Sequence, residues 1–236
     1  MRLREFIQKI PKANFYDLTH ELYHNMPVYP TVRPFSINLI NFIAKDKFEA
    51  RELIMITHHG THFDAPTHMI ENGKSIDKFD ISNFIQPAAV LNLSTILKPK
   101  EEISSNILIK FENVIKRNNA ILFYTGWSKK RGFNSEYILE WPYIDIDGAK
   151  YIASFDNIKI LGTDSLSIAG YNGNAHVIET HRILLEKNIL ILEELNFNTL
   201  AEVIADKEYI EGTLIALPLL IKDGDGSPAR VVFILD

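Results

Sequence analysis

The chain has no cysteine among its 236 residues. That excludes disulfides, thiolate nucleophiles and every zinc site built on sulfur, so any bound metal must be held by nitrogen and oxygen. No secretory leader is expected either: Met1 to Leu18 mixes Arg2, Arg4, Glu5, Gln8, Lys9 and Lys12 into its apolar residues and leaves no uninterrupted hydrophobic region. No apolar run approaches the ~18 residues of a membrane span, and a cytoplasmic location is expected. Positive charge is not in excess either: 25 Lys and Arg face 30 Asp and Glu, for a net charge of -5, which leaves no footprint for nucleic acid. The glycine patterns of dinucleotide-binding and phosphate-binding loops and the G-x-S-x-G of serine hydrolases are all lacking.

What is present reads as one folded unit. Hydrophobic residues make up 46% and charged residues 23%, near the averages of globular proteins. The length does not force a split, and there is no repeat or low-complexity tract, so one domain over 1–236 is expected. Leu3, Phe6, Ile7 and Ile10 have helical spacing up to Pro11, which predicts a short amphipathic helix able to pack on the body or on a second subunit. Strands are predicted at Phe15–Leu18, Phe35–Phe42 and Ala50–Thr57, the last with a buried-strand run at Leu53-Ile54-Met55-Ile56. Further strands follow at Ala88–Leu93, Ala120–Tyr124, Ile158–Leu161 and Ile189–Glu193, with helices at Ile107–Arg117, Asp147–Phe155 and Ala175–Lys187 between them. A shorter helical piece at Leu195–Ala205 precedes two β-rich runs, Thr213–Ile221 and Arg230–Leu235, joined by a loop of Asp223, Gly224, Asp225, Gly226 and Pro228. Alternating β and α predict an α/β fold with a mixed sheet and helices against it.

Chemistry concentrates in one segment. Of eight histidines, His58, His59, His62 and His68 fall within eleven positions, with Asp64 among them. Imidazole and carboxylate are the ligands a divalent cation accepts when sulfur is unavailable. The four-residue spacing of His58 and His62 occurs in helical zinc sites, but Gly60 and Pro66 argue against a helix. In an extended strand the even-numbered residues share one face. Full extension would part His58 from His62 by ~13 Å, so the chain must turn, and Gly60 is the residue suited to unusual dihedrals. His68 shares that face, as a further ligand or as general acid and base, the second role being preferred. His59, on the opposite face, reads as structural.

The segment matches H-x-G-T-H-x-D-x-P-x-H at every fixed position, through His58, Gly60, Thr61, His62, Asp64, Pro66 and His68. In this it resembles the metal-dependent cyclase family, which includes bacterial kynurenine formamidase and isatin hydrolase. The likeness extends along the chain through Asp17-Leu18-Thr19-His20, Met26-Pro27-Val28-Tyr29-Pro30, Thr125-Gly126-Trp127, Gly162-Thr163-Asp164-Ser165, Leu217-Pro218-Leu219 and Gly226-Ser227-Pro228-Ala229-Arg230. His181 and Glu193 have the twelve-residue spacing of the family's late metal ligands. From the residues alone that pair would pass for an ordinary ion pair or cap.

The resemblance implies a swivelling β/β/α domain with a barrel-like mixed sheet flanked by helices, and a homodimer or homotetramer. It implies that His58, His62 and Asp64 bind one metal, that Asp64 bridges to a second, and that His181 and Glu193 complete the second site. The cofactor would be one or two ions of Zn2+ or Mn2+ per subunit, with His68 moving the proton and Glu193 orienting water. The substrate would be a small amide, an aryl formamide such as N-formylkynurenine, or a cyclic amide or lactone. A non-catalytic metal- or ligand-binding protein on the same scaffold is the reading from another class. Two departures bear on substrate: Tyr29 stands where kynurenine formamidases typically carry a tryptophan that stacks on the substrate, and Thr31-Val32 replaces the usual Gly-Asp. Tyr29 could still stack. His176 reads as an ion pair or cap, Glu179 and Glu194 as solvated charges, and Asp164 as either a pocket residue or a turn cap.

Overall fold

Five consecutive apolar residues, Ala120-Ile121-Leu122-Phe123-Tyr124, form a strand buried at every position, as a strand packed on both faces should be. Successive side chains take opposite faces. Ala120, Leu122 and Tyr124 join one hydrophobic cluster, while Ile121 and Phe123 join another. The computed structural model, which describes residues 14–171 and 176–236, extends this two-sided pattern around a closed sheet. Its strands are β1 (Phe15–Asp17), β2 (Ser36–Asn41), β3 (Ala50–Ile54), β4 (His62–Asp64), β5 (Ile85–Asn92), β6 (Glu102–Ile103), β7 (Ala120–Tyr124), β8 (Tyr143–Ile144), β9 (Ile160–Thr163), β10 (Leu190–Glu193), β11 (Tyr209–Pro218) and β12 (Gly226–Leu235).

Seven strands close in the order β12-β11-β5-β7-β9-β10-β4, and β4 pairs back onto β12. Strands β5, β7, β9 and β10 are parallel neighbours, and the remaining joints are antiparallel. Each of the seven sends side chains into one interior cluster, among them Phe63, Val90, Leu122, Ile160, Leu192, Leu214 and Val231. Gly162 is required there, because a Cβ at that position would lie 2.6 Å from Leu122 Cδ2. Parallel strands need crossover connections, and the helices α1 (Glu112–Arg117), α2 (Ile146–Ala153) and α3 (His176–Glu186) lie on those crossovers. They bury Ile115, Ile152 and Leu184 against the outward side chains Leu91, Ile121, Leu161 and Ile191. The result is the expected mixed barrel flanked by helices.

The amphipathic helix expected over residues 2–10 lies outside the described residues. Three expectations are corrected. The helix predicted at Ile107–Arg117 is broken into Ser105–Leu108, a 3-10 turn at Ile109–Phe111, and α1. A three-residue turn eclipses positions i and i+3, which lets Leu108 and Phe111 enter the same core. The run around Leu53 is not buried: among the described residues β3 pairs only with β2, in a separate two-stranded sheet, and Leu53 is 52% exposed. Of the helical piece at Leu195–Ala205, only Ala201–Ile204 is α-helical. Among the described residues no helix is long and apolar enough to cross a membrane.

Candidate metal centre

The histidine segment closes the barrel. Gly60 adopts φ +67°, the left-handed region that glycine enters without steric cost, and the chain turns there before entering β4. Strand β4 is held between β10 and β12. After Asp64 the chain continues through Ala65 into a 3-10 turn over Pro66–His68. Phe63 points into the barrel, so His62 and Asp64 point outward, toward the helical layer. His62 lies directly opposite Glu193 across the β4–β10 pair, and Asp64 opposite Ile191. Directly opposed residues share a face. Helix α3 packs on that face and delivers His181.

These four side chains form an inner group, each no more than 5% exposed. His62 Nδ1 donates to Gly60 O at 2.7 Å and His181 Nδ1 to Val177 O at 2.7 Å, which leaves both Nε2 atoms facing the carboxylates. His62 Nε2 is 3.4 Å from Asp64 Oδ1 and 3.6 Å from Glu193 Oε2. His181 Nε2 is 3.5 Å from Glu193 Oε1 and 3.7 Å from Asp64 Oδ2. Such separations are long for hydrogen bonds but suit ligand atoms about an ion, since two ligands each about 2.1 Å from a metal stand roughly 3–3.5 Å apart; His62, Asp64 and Glu193 converge in this way, and His181 faces the other oxygen of each carboxylate. His62 Nε2 is buried without a hydrogen-bond partner, a costly arrangement for a polar atom unless something binds it. Glu193 is oriented by Ile168 N at 2.7 Å and Ser167 Oγ at 3.1 Å, both donating to Oε1. The donor set and the unsatisfied nitrogen fit a divalent cation.

An outer group stands beside it on loops. His58 Nδ1 is 2.7 Å from Asp64 Oδ1, and its Nε2 is 2.9 Å from Asp225 Oδ2. The His68 ring stacks at 4.1 Å on that of His58 and presents Nδ1 3.6 Å from the same Asp225 oxygen. Thr57 Oγ1 donates to Asp225 Oδ1 at 2.8 Å. Burial disfavours a charged His58, but Asp64 and Asp225 outweigh it and push its pKa up to about 10. Burial raises the pKa of Asp64, yet His58 and His62 hold it well below the carboxylate range. Hydrogen bonding from His58, then His68, does the same for Asp225.

The ligand atoms regroup what sequence spacing had joined. His62, Asp64 and Glu193 form one set within 4.8 Å, and His58, Asp64 and His68 form another. His58 and His62 therefore belong to different sets, with Asp64 common to both, because the turn at Gly60 sends His58 toward the loop carrying Asp225 instead of along β4.

The family described as Putative cyclase matches residues 16–169. The chain belongs to that family. It is 27% identical to the Kynurenine formamidase of Bacillus cereus over 93% of this chain and 97% of that protein, and 30% identical to that of Geobacillus thermodenitrificans over 91% and 94%. Isatin hydrolase A from Labrenzia aggregata, bound to benzyl benzoate, superposes with a TM-score of 0.83 at 25% identity, over 99% of this chain and 98% of that one. A structure described as a potential metal-dependent hydrolase with cyclase activity gives 0.74 at 25% identity, over 93% and 96%.

In this cyclase-family chain both donor groups open into a cavity of about 220 Å³, bounded by Tyr29, Thr31, Val32, Ile56, Met69, Leu166 and Val177. Tyr29 sits at its wall, half-buried, with its ring centroid 5.8 Å from those of Trp141 and Tyr171. His59 is structural: buried, it donates from Nε2 to Arg33 O, accepts from Ile56 N, and packs on Phe35. Asp164 is a turn cap and does not line the cavity. It is fully buried and accepts from Thr125 N, Thr125 Oγ1 and Ser128 N. His176 and Glu179 are exposed. Glu194 corrects its expectation as a solvated charge: it is 2% exposed, accepts from Tyr137 OH at 2.9 Å, and pairs with Arg131. Asp225, Thr57 and Ser167 were missed. Asp225 lies in an Asp-Gly-Asp-Gly run that reads as turn chemistry, and nothing local marks it as facing a histidine 167 positions away.

Proposed function

We propose that this chain is a metal-dependent hydrolase of a small amide, with an aryl formamide such as N-formylkynurenine as the favoured substrate. The observation that carries the reading is the convergence of His62, His181, Glu193 and Asp64, with a buried, unsatisfied His62 Nε2, at the floor of an apolar-walled cavity. Kinship with kynurenine formamidases over nearly the full length supports the substrate class. The cavity, at about 220 Å³, is smaller than the roughly 300–1,000 Å³ typical of drug-sized ligands.

His62, Glu193 and Asp64 would hold one divalent cation, zinc or manganese, with His181 at the other oxygen of each carboxylate. His58, with Asp64 as the shared carboxylate, would hold a second. When bound, the metal supplies Lewis-acid polarisation of the carbonyl and lowers the pKa of water to about 7. His68, on the cavity lining, takes the proton from the attacking water and returns it to the leaving nitrogen, so that a formamide yields formate and the free amine. Ser167 and the Ile168 amide fix the Glu193 carboxylate. Ile56, Leu166, Met69 and Val177 exclude bulk water, and Tyr29 offers a face to an aryl ring. A second role for His68 is supported by its place in the outer ligand set: it would then be a ligand, and His68→Gln would lose an ion as well as activity.

A second substrate reading is a cyclic amide, favoured by the match to isatin hydrolase A. Turnover of linear and cyclic amides by zinc- and manganese-loaded protein, compared with chelated protein, decides between them. Metal binding without turnover of any amide or ester would leave a binding protein and end the hydrolase assignment.

Assembly is proposed alongside. Leu39, Ile40, Phe42, Ile43, Phe48 and Leu53 on the β2–β3 arm are 45–65% exposed, and clustered exposed apolar side chains mark interaction surfaces. A second copy of this chain would cover this surface. Sedimentation should give a dimer that Ile43→Glu weakens, and a monomeric parent protein would refute it.

A further inference from the structure

Among the described residues, Asp225 is a carboxylate at the site that belongs to neither ligand set, yet it touches both outer histidines. Its Oδ2 lies 2.9 Å from His58 Nε2 and 3.6 Å from His68 Nδ1, and its Oδ1 accepts from Thr57 Oγ1 at 2.8 Å. An imidazole has two different nitrogens, and the partner of one decides which is free for the other task. With Nε2–H given to Asp225, Nδ1 is the His58 nitrogen turned to Asp64, 2.7 Å away, and the one whose proton a cation beside that carboxylate would replace. With Nδ1–H facing Asp225, His68 keeps Nε2 as the nitrogen free to accept a proton. Outer carboxylates that hold a liganding histidine in this way set its tautomer and orientation. The 3.6 Å contact to His68 is longer than a hydrogen bond and reads as an electrostatic contact.

We propose that Asp225 is a positioning residue that sets the tautomer of His58 and His68 together, coupling the outer metal ligand to the proton carrier. The proposal rests on the metal-dependent reading above. The carboxylate is itself placed by two anchors: Thr57, from the strand-leaving segment before the turn, and the backbone on either side. Gly224 N donates to Ile221 O, and Asp225 O accepts from Ala65 N at 2.8 Å. The C-terminal loop and the histidine segment are thus tied at backbone and side chain, and Gly226, directly opposite Asp64, leaves no room for a Cβ beside the His58 ring.

The test compares Asp225→Ala, Asp225→Asn and Thr57→Val with Asp223→Asn, an exposed neighbour, in zinc-loaded protein. Expected are a loss of about 10- to 100-fold in zinc affinity at one of the sites, and in kcat with little change in KM, for Asp225→Ala. Asp225→Asn should be intermediate, because an amide oxygen still accepts from one histidine. Thr57→Val should lose only a few-fold, and Asp223→Asn nothing. Two-bond 15N–1H spectra of labelled histidine should show mixed tautomers for two rings in Asp225→Ala and single tautomers in the parent. Asp225→Ala that binds zinc and turns over like the parent, with unchanged histidine spectra, overturns the proposal. A parent that takes up no zinc sinks the functional reading instead. In that event the histidine spectra still judge Asp225, since a carboxylate that orients the rings must move their signals when removed.

Discussion

The inner and outer halves of the site are built differently. His62, Glu193 and Asp64 stand on paired strands, His181 stands on a helix packed against them, and all four are buried. His58, His68 and Asp225 stand on turns, with side chains 16%, 26% and 45% exposed. Strand pairing positions the inner donors with the rigidity of the barrel itself, whereas the outer donors depend on one another. A buried, strand-borne set is suited to gripping an ion. A partly exposed, loop-borne set is suited to exchanging protons and meeting substrate.

The largest expected effect comes from erasing the residue both halves share. Asp64→Asn should lose both ions and bring kcat/KM to background, as measured by elemental analysis and amide turnover. Retention of one full ion equivalent would mean that the halves are independent. Next, His68→Gln should lower kcat by about 10²–10⁴-fold with the metal content kept, so that chemistry separates from binding. Timed chelation comes third: one ion should leave well before the other, and the more slowly lost ion should be the one whose retention is weakened by His181→Ala. Simultaneous loss would erase the distinction.

A fourth outcome concerns stability beside the site. His20 is buried next to Arg131, and burial first, then that guanidinium, pulls its pKa down to about 3. Its unfolded value is about 6.5. The unfolded state therefore binds the proton more readily, and stability present above pH 6.5 is lost as pH falls toward 3, by at most about 1.4 kcal/mol per unit. Urea midpoints across that window should fall more steeply in the parent than in His20→Asn, and parallel slopes would exclude the effect. The smallest change is expected at the cavity wall, where Tyr29→Ala should raise KM for an aryl amide by roughly 0.5–1.5 kcal/mol equivalent, while Tyr29→Phe leaves it unchanged.

The fold was legible where the local pattern and the final environment agree. Ala120–Tyr124 is apolar throughout and is buried on both faces; Asp147–Phe155 is spaced as a helix and forms α2 over Ile146–Ala153. Leu53 and its neighbours are just as apolar, but their strand pairs outside the barrel, so their exposure could not be read from the run itself. Glu194 has the same character as any surface glutamate in the sequence, and only the fold supplies Tyr137 and Arg131 to justify its burial.

For the site, the sequence by itself determined the kind of ligands and the need for a turn. Cysteine is absent, four histidines crowd around one aspartate, and glycine is the residue that lets the chain bend there. Tertiary structure alone decided how those ligands divide, because cross-strand register puts His62 against Glu193 while the turn sends His58 to Asp225. Spacing along a chain constrains only neighbours within a few residues, whereas donors brought from 131 to 167 positions away meet through the closure of the sheet.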